Sequence, residues 1–222
     1  MLISGSCRVA QIQLIDLLLQ KSGLPRGSDV LDVGCGIGGT SRYLAKELDC
    51  TVTGITISGQ QVQIARRLSK QGELPTSSQP PSSDGIPTSG PAAGPGDAFD
   101  QIGNGKVRFT ELDAEKMGDS FAPASFDCVW ISEAMSHLPN KQLFFSNAFK
   151  LLKPGGRLVI ADWFKAETLT SAQMDSDIRP IEDGMLLPPL CTQQGYVDFA
   201  KSAGLSVLAE PMDISKQVAK TW

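Results

Sequence analysis

Residues 30–39 read VLDVGCGIGG. An apolar strand, broken only by the carboxylate of Asp32, runs straight into a glycine-rich turn. Gly34, Gly36 and Gly39 fall at the spacing of a dinucleotide-binding turn, in which bare backbone can approach a ligand closely. By spacing alone the stretch fits a nicotinamide nucleotide or another adenosine-bearing cofactor.

Charge separates the two. A pyrophosphate seeks free amide N–H groups at the positive end of a helix, and a carboxylate beside them opposes that anion. S-adenosylmethionine (SAM) has no phosphate and carries an ammonium and a sulfonium, so Asp32 attracts its methionyl end directly or through water. The nucleotide pattern also expects an acid at the tip of the second strand, where VTGITIS offers Thr56 and Ser58. An NADP-type site can lack that acid, so an oxidoreductase stays as a weaker alternative.

The chain has 222 residues, 41% of them hydrophobic, and a net charge of −4. That is enough for one domain with a substantial core and short for two. Lys and Arg are scattered, which argues against nucleic acid or an anionic membrane surface as partner and for a small molecule. Five cysteines, Cys7, Cys35, Cys50, Cys128 and Cys191, show neither metal-ligand nor paired spacing; they read as reduced thiols of a cytosolic protein with no metal site. The opening MLISGSCRVAQ lacks the basic leader and apolar run of a signal peptide, and no stretch has the length of a membrane span.

Alternation of strand and helix signals sets the fold class. Helical spacing covers 9–22 and ends at Gly23-Leu24-Pro25. A strand over 29–33, a helix over 39–48, a strand over 51–57 and a helix from the Ser58 cap to Lys70 form a β-α-β unit. Residues 72–105 contain Pro75, Pro80, Pro81, Pro87, Pro91 and Pro95 and no apolar period, so a disordered surface insert is expected there. Strands follow at 107–112 and 126–131, then a helix over 140–152, a Lys153-Pro154-Gly155-Gly156 turn into a strand over 157–161, and a strand near 205–211. The sum is a single α/β domain over 1–222 with a doubly wound, mostly parallel sheet, whose ligand crevice lies at the carboxyl ends of the strands. Asp32, Thr56, Asp113, Ser132, Glu133 and Asp162 all fall at such ends.

VLDVGCGIGG, GITIS, LDAEKM, FDCVWISEAMSHLPN and LLKPGGRLVIADW follow the order and spacing of class I SAM-dependent methyltransferases. They most resemble the group of gamma-tocopherol and sterol C-methyltransferases, in which the second strand ends in a Gly-Ile-Thr-Leu-Ser-like run. The resemblance spans about residues 10–215 outside the insert and implies SAM as cofactor and a hydrophobic small-molecule acceptor. It implies that Gly34, Cys35, Gly36 and Gly38 form the turn under SAM and that Asp32 holds its ammonium. Thr56, Ile57 and Gln61 would lie near ribose and adenine, Asp113 and Ala114 at the adenine edge. Ser132 and Glu133 would form the floor beneath the sulfonium, with His137 facing the acceptor as a base or a positioning group.

Relative to that group the chain is expected to lack the upstream lid segment and the antiparallel seventh strand. An internal strand would then become an exposed sheet edge, open to a second copy or another partner. That leaves two function classes open: a methyltransferase acting on a tocopherol-, sterol- or alkaloid-like molecule, and a truncated domain that binds SAM or a protein partner without efficient turnover. Trp130 and Trp163 fit either an aromatic wall or core packing. Met185, Leu186 and Leu190 are candidates for the acceptor pocket.

Overall fold

The computed structural model describes residues 7–71 and 98–215. Its strands are β1 (Asp29–Val33), β2 (Thr51–Thr56), β3 (Asp100–Ile102), β4 (Gly105–Glu111), β5 (Phe126–Ser132) and β6 (Leu152–Ala161). They form one sheet in the order β3-β4-β2-β1-β5-β6. Every neighbouring pair is parallel except β3 with β4. The helices are α1 (Cys7–Ser22), α2 (Gly39–Leu48), α3 (Gly59–Lys70), the short α4 (Met117–Ser120), α5 (Lys141–Leu151), α6 (Ser171–Gln173), α7 (Arg179–Gly184) and α8 (Gln193–Ser202).

Successive strand residues point to opposite faces, so a central strand feeds two cores. Val30, Val52, Cys128 and Trp130 pack with Ile15 of α1, Leu44 of α2 and Val62 of α3. Leu31, Ile55, Val129 and Ile131 pack with Phe144 and Phe145 of α5 and Tyr196 of α8. Helices therefore cover both faces, the doubly wound arrangement expected from the sequence. Trp130 is fully buried in the first core, which decides its role for packing. Caps set two helix starts: the Ser58 side chain accepts from Gln61 N at 3.3 Å and Asn140 from Leu143 N at 3.0 Å.

Three expectations need correction or delimiting. Residues 72–97 of the insert lie outside the described residues, but the last part of the 72–105 stretch is ordered. There β3 pairs with β4 through a two-residue Gly103-Asn104 turn, with Gly103 at φ +60°. Lys153-Pro154-Gly155-Gly156 is an irregularity within β6 rather than a turn before it: the register with β5 shifts between Phe126 and Cys128, and Gly155 takes φ +77°. The stretch 205–211 forms no strand; it has apolar residues at Leu205 and Val207 but no ladder partner, and Leu208 is 75% exposed.

Among the described residues β6 has a partner on one side only. A cleft of about 890 Å³ runs beside it between α1 and α8, with Leu17, Leu18, Leu158 and Val197 in its walls. No helix among the described residues is long and apolar enough to cross a membrane.

Candidate active site

The chain moves outward from β1 through β2 to β4, then returns to place β5 on the other side of β1. Strand order reverses beside β1, and a crevice opens at the strand ends where it does. The turn after β1 and the turn after β5 face each other across it. Gly34 has φ +70°, and a Cβ there would stand 2.4 Å from the Cβ of Ala134. Glycine is required at 34 on both counts. Gly34 N and Cys35 N donate to Ile55 O at 2.9 and 3.0 Å, which pins the turn to β2. Gly36 also has positive φ, +54°, but a Cβ on it would meet nothing within 4 Å. Its bare backbone faces open space, where a ligand can approach.

Asp32 lies beneath this turn, 3% exposed, on the α2 face of the sheet. Ser41, in the first turn of α2, donates its hydroxyl to Asp32 Oδ2 at 2.5 Å. Among the described residues no Lys or Arg forms an ion pair with Asp32. Burial consequently pushes its carboxyl up to about 7, and the Ser41 bonds offset only part of that rise. A buried carboxylate in need of a cation, next to open glycine backbone, suits an ammonium-bearing ligand and repels a pyrophosphate. Burial first, and then the Asp32 charge, push the Cys35 thiol well above its ordinary value. That agrees with Cys35 as a packing residue rather than a nucleophile.

The other expected cofactor residues fall around the turn in different ways. Thr56 is buried, with Oγ1 2.6 Å from Gln61 Oε1 and accepting from Ser58 N at 3.3 Å. Its hydroxyl is consumed in the turn, whereas Ile57 is 76% exposed. Asp113 Oδ1 accepts from Glu115 N at 3.0 Å and caps a 3-10 turn beginning at Ala114, itself buried.

On the β5 side, Ser132 ends the strand and Glu133 has φ +55°, a left-handed conformation that costs a non-glycine residue of order 1–3 kcal/mol. It is held there by Glu133 N donating to Ala161 O at 2.7 Å. Asp162 accepts from Ser136 N at 2.6 Å and from Trp163 N at 2.7 Å, which ties the end of β6 to the Glu133 turn. Lys141 Nζ braces the same turn from below, donating to Leu138 O at 3.0 Å. Burial, followed by the Asp162 charge, raises the Glu133 carboxyl, and burial raises Asp162. Both acids line a cavity of about 600 Å³ with Trp163 and Phe164. His137 is exposed on the 3-10 turn over Met135–His137 and does not line that cavity. Met185 and Leu186 are exposed and Leu190 is buried, and none of the three lines either cleft.

Sequence reading missed Ser41 and the bond from Ser136 N to Asp162 that ties β6 to the Glu133 turn. Ser41 follows Asp32 by nine residues, and the helix phase after a glycine turn of this length returns that position to the strand tip. Among the described residues no cluster of His, Cys, Asp and Glu is set to hold a metal ion.

A parallel sheet wound on both faces, with a glycine turn and a buried acid at its switch point, defines a Rossmann-like nucleoside-cofactor fold. A family model described as a methyltransferase domain matches residues 8–209, and the chain belongs to that family. A 2-methyl-6-phytyl-1,4-hydroquinone methyltransferase from Synechocystis is 39% identical over 157 residues, 69% of this chain and 39% of that protein. The chloroplastic tocopherol O-methyltransferase of Arabidopsis thaliana is 28% identical over 96% of this chain and 55% of its own length. The chain thus spans about half the length of such relatives, or less. Among solved structures, the geranyl diphosphate C-methyltransferase of Streptomyces coelicolor superposes with TM-score 0.64 at 17% identity, covering 87% of this chain and 61% of that one. The [4+2]-cyclase SpnF superposes with TM-score 0.66 at 23% identity, covering 91% and 59%. That a cyclase shares the fold means that function has to be argued from the site.

Proposed function

We propose that the chain transfers a methyl group from SAM to a hydrophobic small molecule. The observation that carries this reading is Asp32, a buried carboxylate without a cationic partner among the described residues, under glycine backbone that is open at Gly36. SAM supplies a methyl on a sulfonium, already activated for in-line displacement. Asp32 binds the methionyl ammonium, and the turn from Gly34 to Gly38, with Cys35 inside it, lets backbone lie along the ligand. Gln61 and Ile57 border the ribose and adenine, with Asp113 and Ala114 at the adenine edge. Ser132 and Glu133 form the floor facing the sulfonium. Holding the reactants in line supplies roughly 7–11 kcal/mol of barrier reduction.

Glu133 and Asp162 make the neighbouring cavity acidic, and Trp163 and Phe164 make it aromatic. This supports an acceptor that is apolar and gains positive character as the methyl arrives. Glu133 stabilises that charge, and His137, exposed on the following 3-10 turn and outside the cavity lining, serves the acceptor as a base, for about 10²–10⁴-fold in rate, or as a positioning group. The names of the relatives, a phytyl-hydroquinone methyltransferase and a tocopherol methyltransferase, support an isoprenoid-tailed or ring acceptor.

A second reading concerns β6. Among the described residues β6 has a ladder partner on one side only. A second copy pairing along β6 would satisfy its free backbone groups, so a homodimer is the proposed occupant of the edge. Light scattering across a concentration series tests it, and a strict monomer at all concentrations refutes it. The unpaired cysteines among the described residues, Cys35, Cys50, Cys128 and Cys191, support a reducing, cytosolic location.

Calorimetric titration with SAM and S-adenosylhomocysteine tests the cofactor. Labelled-methyl transfer to phytyl-hydroquinone and sterol acceptors tests turnover. Micromolar binding of both ligands with transfer is the expected result. Binding without transfer to any acceptor leaves a non-catalytic SAM-binding domain, and no binding by the folded chain refutes the reading.

A further inference from the structure

The tip of β2 lacks the acid that commonly takes the ribose hydroxyls of an adenosine cofactor. Thr56 stands there, and its hydroxyl is engaged by Gln61 and Ser58. The neighbouring strand carries an acid at the same level. In the parallel register of β2 with β4, Thr56 lies opposite Glu111.

Both residues project on the face that bears the glycine turn. Two positions earlier on β4, Phe109 packs against that turn, its ring 2.4 Å from where a Gly38 Cβ would be and 2.7 Å from a Gly54 Cβ. Strand alternation returns Glu111 to the side of Phe109, and Thr56 to the side of Gly54. The Glu111 carboxylate then reaches across the tip of β2. A Cβ on Gly59, the first residue of α3, would stand 2.4 Å from Glu111 Oε2. Gly59 leaves the space in which the carboxylate sits, and the positive end of α3 favours it there.

Glu111 is exposed, and among the described residues no hydrogen bond or ion pair engages its carboxylate. Its two oxygens are free for donors arriving from the crevice. Vicinal hydroxyls suit a carboxylate, which accepts from both at once. The extra methylene of Glu relative to Asp spans the step from β4 to the β2 tip.

We infer that Glu111 binds the cofactor's ribose hydroxyls, supplying from β4 the carboxylate that the tip of β2 lacks. This rests on the SAM reading above, and the test separates the two. Affinities of the unsubstituted chain, Glu111→Gln and Gly59→Ala are measured by calorimetry for S-adenosylhomocysteine and for its 2′,3′-dideoxyribose analogue. The unsubstituted chain should bind S-adenosylhomocysteine about ten- to a hundredfold more tightly than the analogue, the range expected for hydrogen bonds to a charged group. Glu111→Gln should lose most of that factor for S-adenosylhomocysteine and leave the analogue unchanged. Gly59→Ala, which displaces the carboxylate, should act in the same direction. Unchanged S-adenosylhomocysteine affinity in Glu111→Gln, or equal loss for both ligands, overturns the assignment while leaving the cofactor reading intact. Failure of the unsubstituted chain to bind either ligand overturns both.

Discussion

Replacing Asp32 by Asn separates the cost of the buried acid from its use. The carboxyl is 3% exposed, and burial lifts it from 3.8 to about 7. The unfolded chain ionises this group near 3.8, so between pH 4 and 7 the folded chain holds a proton that the unfolded chain has released, and stability falls as pH rises across that window. The span from 3.8 to about 7 corresponds to roughly 4 kcal/mol, fully lost above pH 7, as an upper bound. Asn keeps an oxygen for the Ser41 hydroxyl and does not titrate. Without cofactor, Asp32→Asn should match the parent near pH 4 and exceed it at pH 8. At about 2–4 °C per kcal/mol for a chain of this size, the pH 8 gain in melting temperature approaches roughly 10 °C. The same substitution removes the partner of the methionyl ammonium and should weaken SAM binding about tenfold or more. Melting curves at pH 4, 6 and 8, with and without SAM, give both arms. A variant that melts at or below the parent at pH 8 without ligand refutes the buried-charge reasoning, and unchanged SAM affinity removes Asp32 from the site.

Three further outcomes follow from the geometry. Gly34→Ala drives a methyl into Ala134 at positive φ and should cost about 2–4 kcal/mol, read as a lowered denaturant midpoint, since overpacking and left-handed strain add. Glu133→Gly relieves the left-handed backbone, so stability should rise by about 0.5–1 kcal/mol while turnover falls; a variant that loses stability contradicts the strain at that position. Lys153 Nζ lies 2.9 Å from both Asp29 and Asp127, and at 34% side-chain exposure Lys153→Met should cost under about 1 kcal/mol at neutral pH. Burial works against the Asp127 carboxylate, but the Asp29 amide and Lys153 outweigh it and hold the carboxyl below its ordinary range. The Lys153 contribution is therefore present above the unfolded carboxylate value of 3.8 and disappears as acid protonates Asp127, so unfolding titrations of parent and variant should converge as pH falls well below it.

The parts legible in the sequence are those fixed by local chemistry. β1 and α2 have the expected bounds because a glycine turn separates them, and Ser58 caps the helix it precedes as expected, whereas Asn140, read as part of its helix, caps it instead. Pairing was less legible, because a strand is a property of two segments. Asp100–Ile102 is too short to show a period, yet it pairs through the Gly103-Asn104 turn; 205–211 has apolar residues but no partner. At the site, Asp32 and the glycines announce themselves by type and spacing. The left-handed backbone of Glu133 does not, since it is imposed by Ala161 on another strand. The inward turn of the Thr56 hydroxyl is likewise set by Gln61, a turn further along the chain.

Among the described residues β6 pairs on one side only, so under the proposed homodimer the chain's stability depends on its concentration. A partner strand bound along that edge would stabilise the fold by an amount that grows with the logarithm of its concentration. Resistance to heat or urea measured at the micromolar levels of an assay and at the far higher levels of purification are then two separate quantities. A short synthetic strand added in excess would act on this protein as a stabilising ligand, dosed like any other.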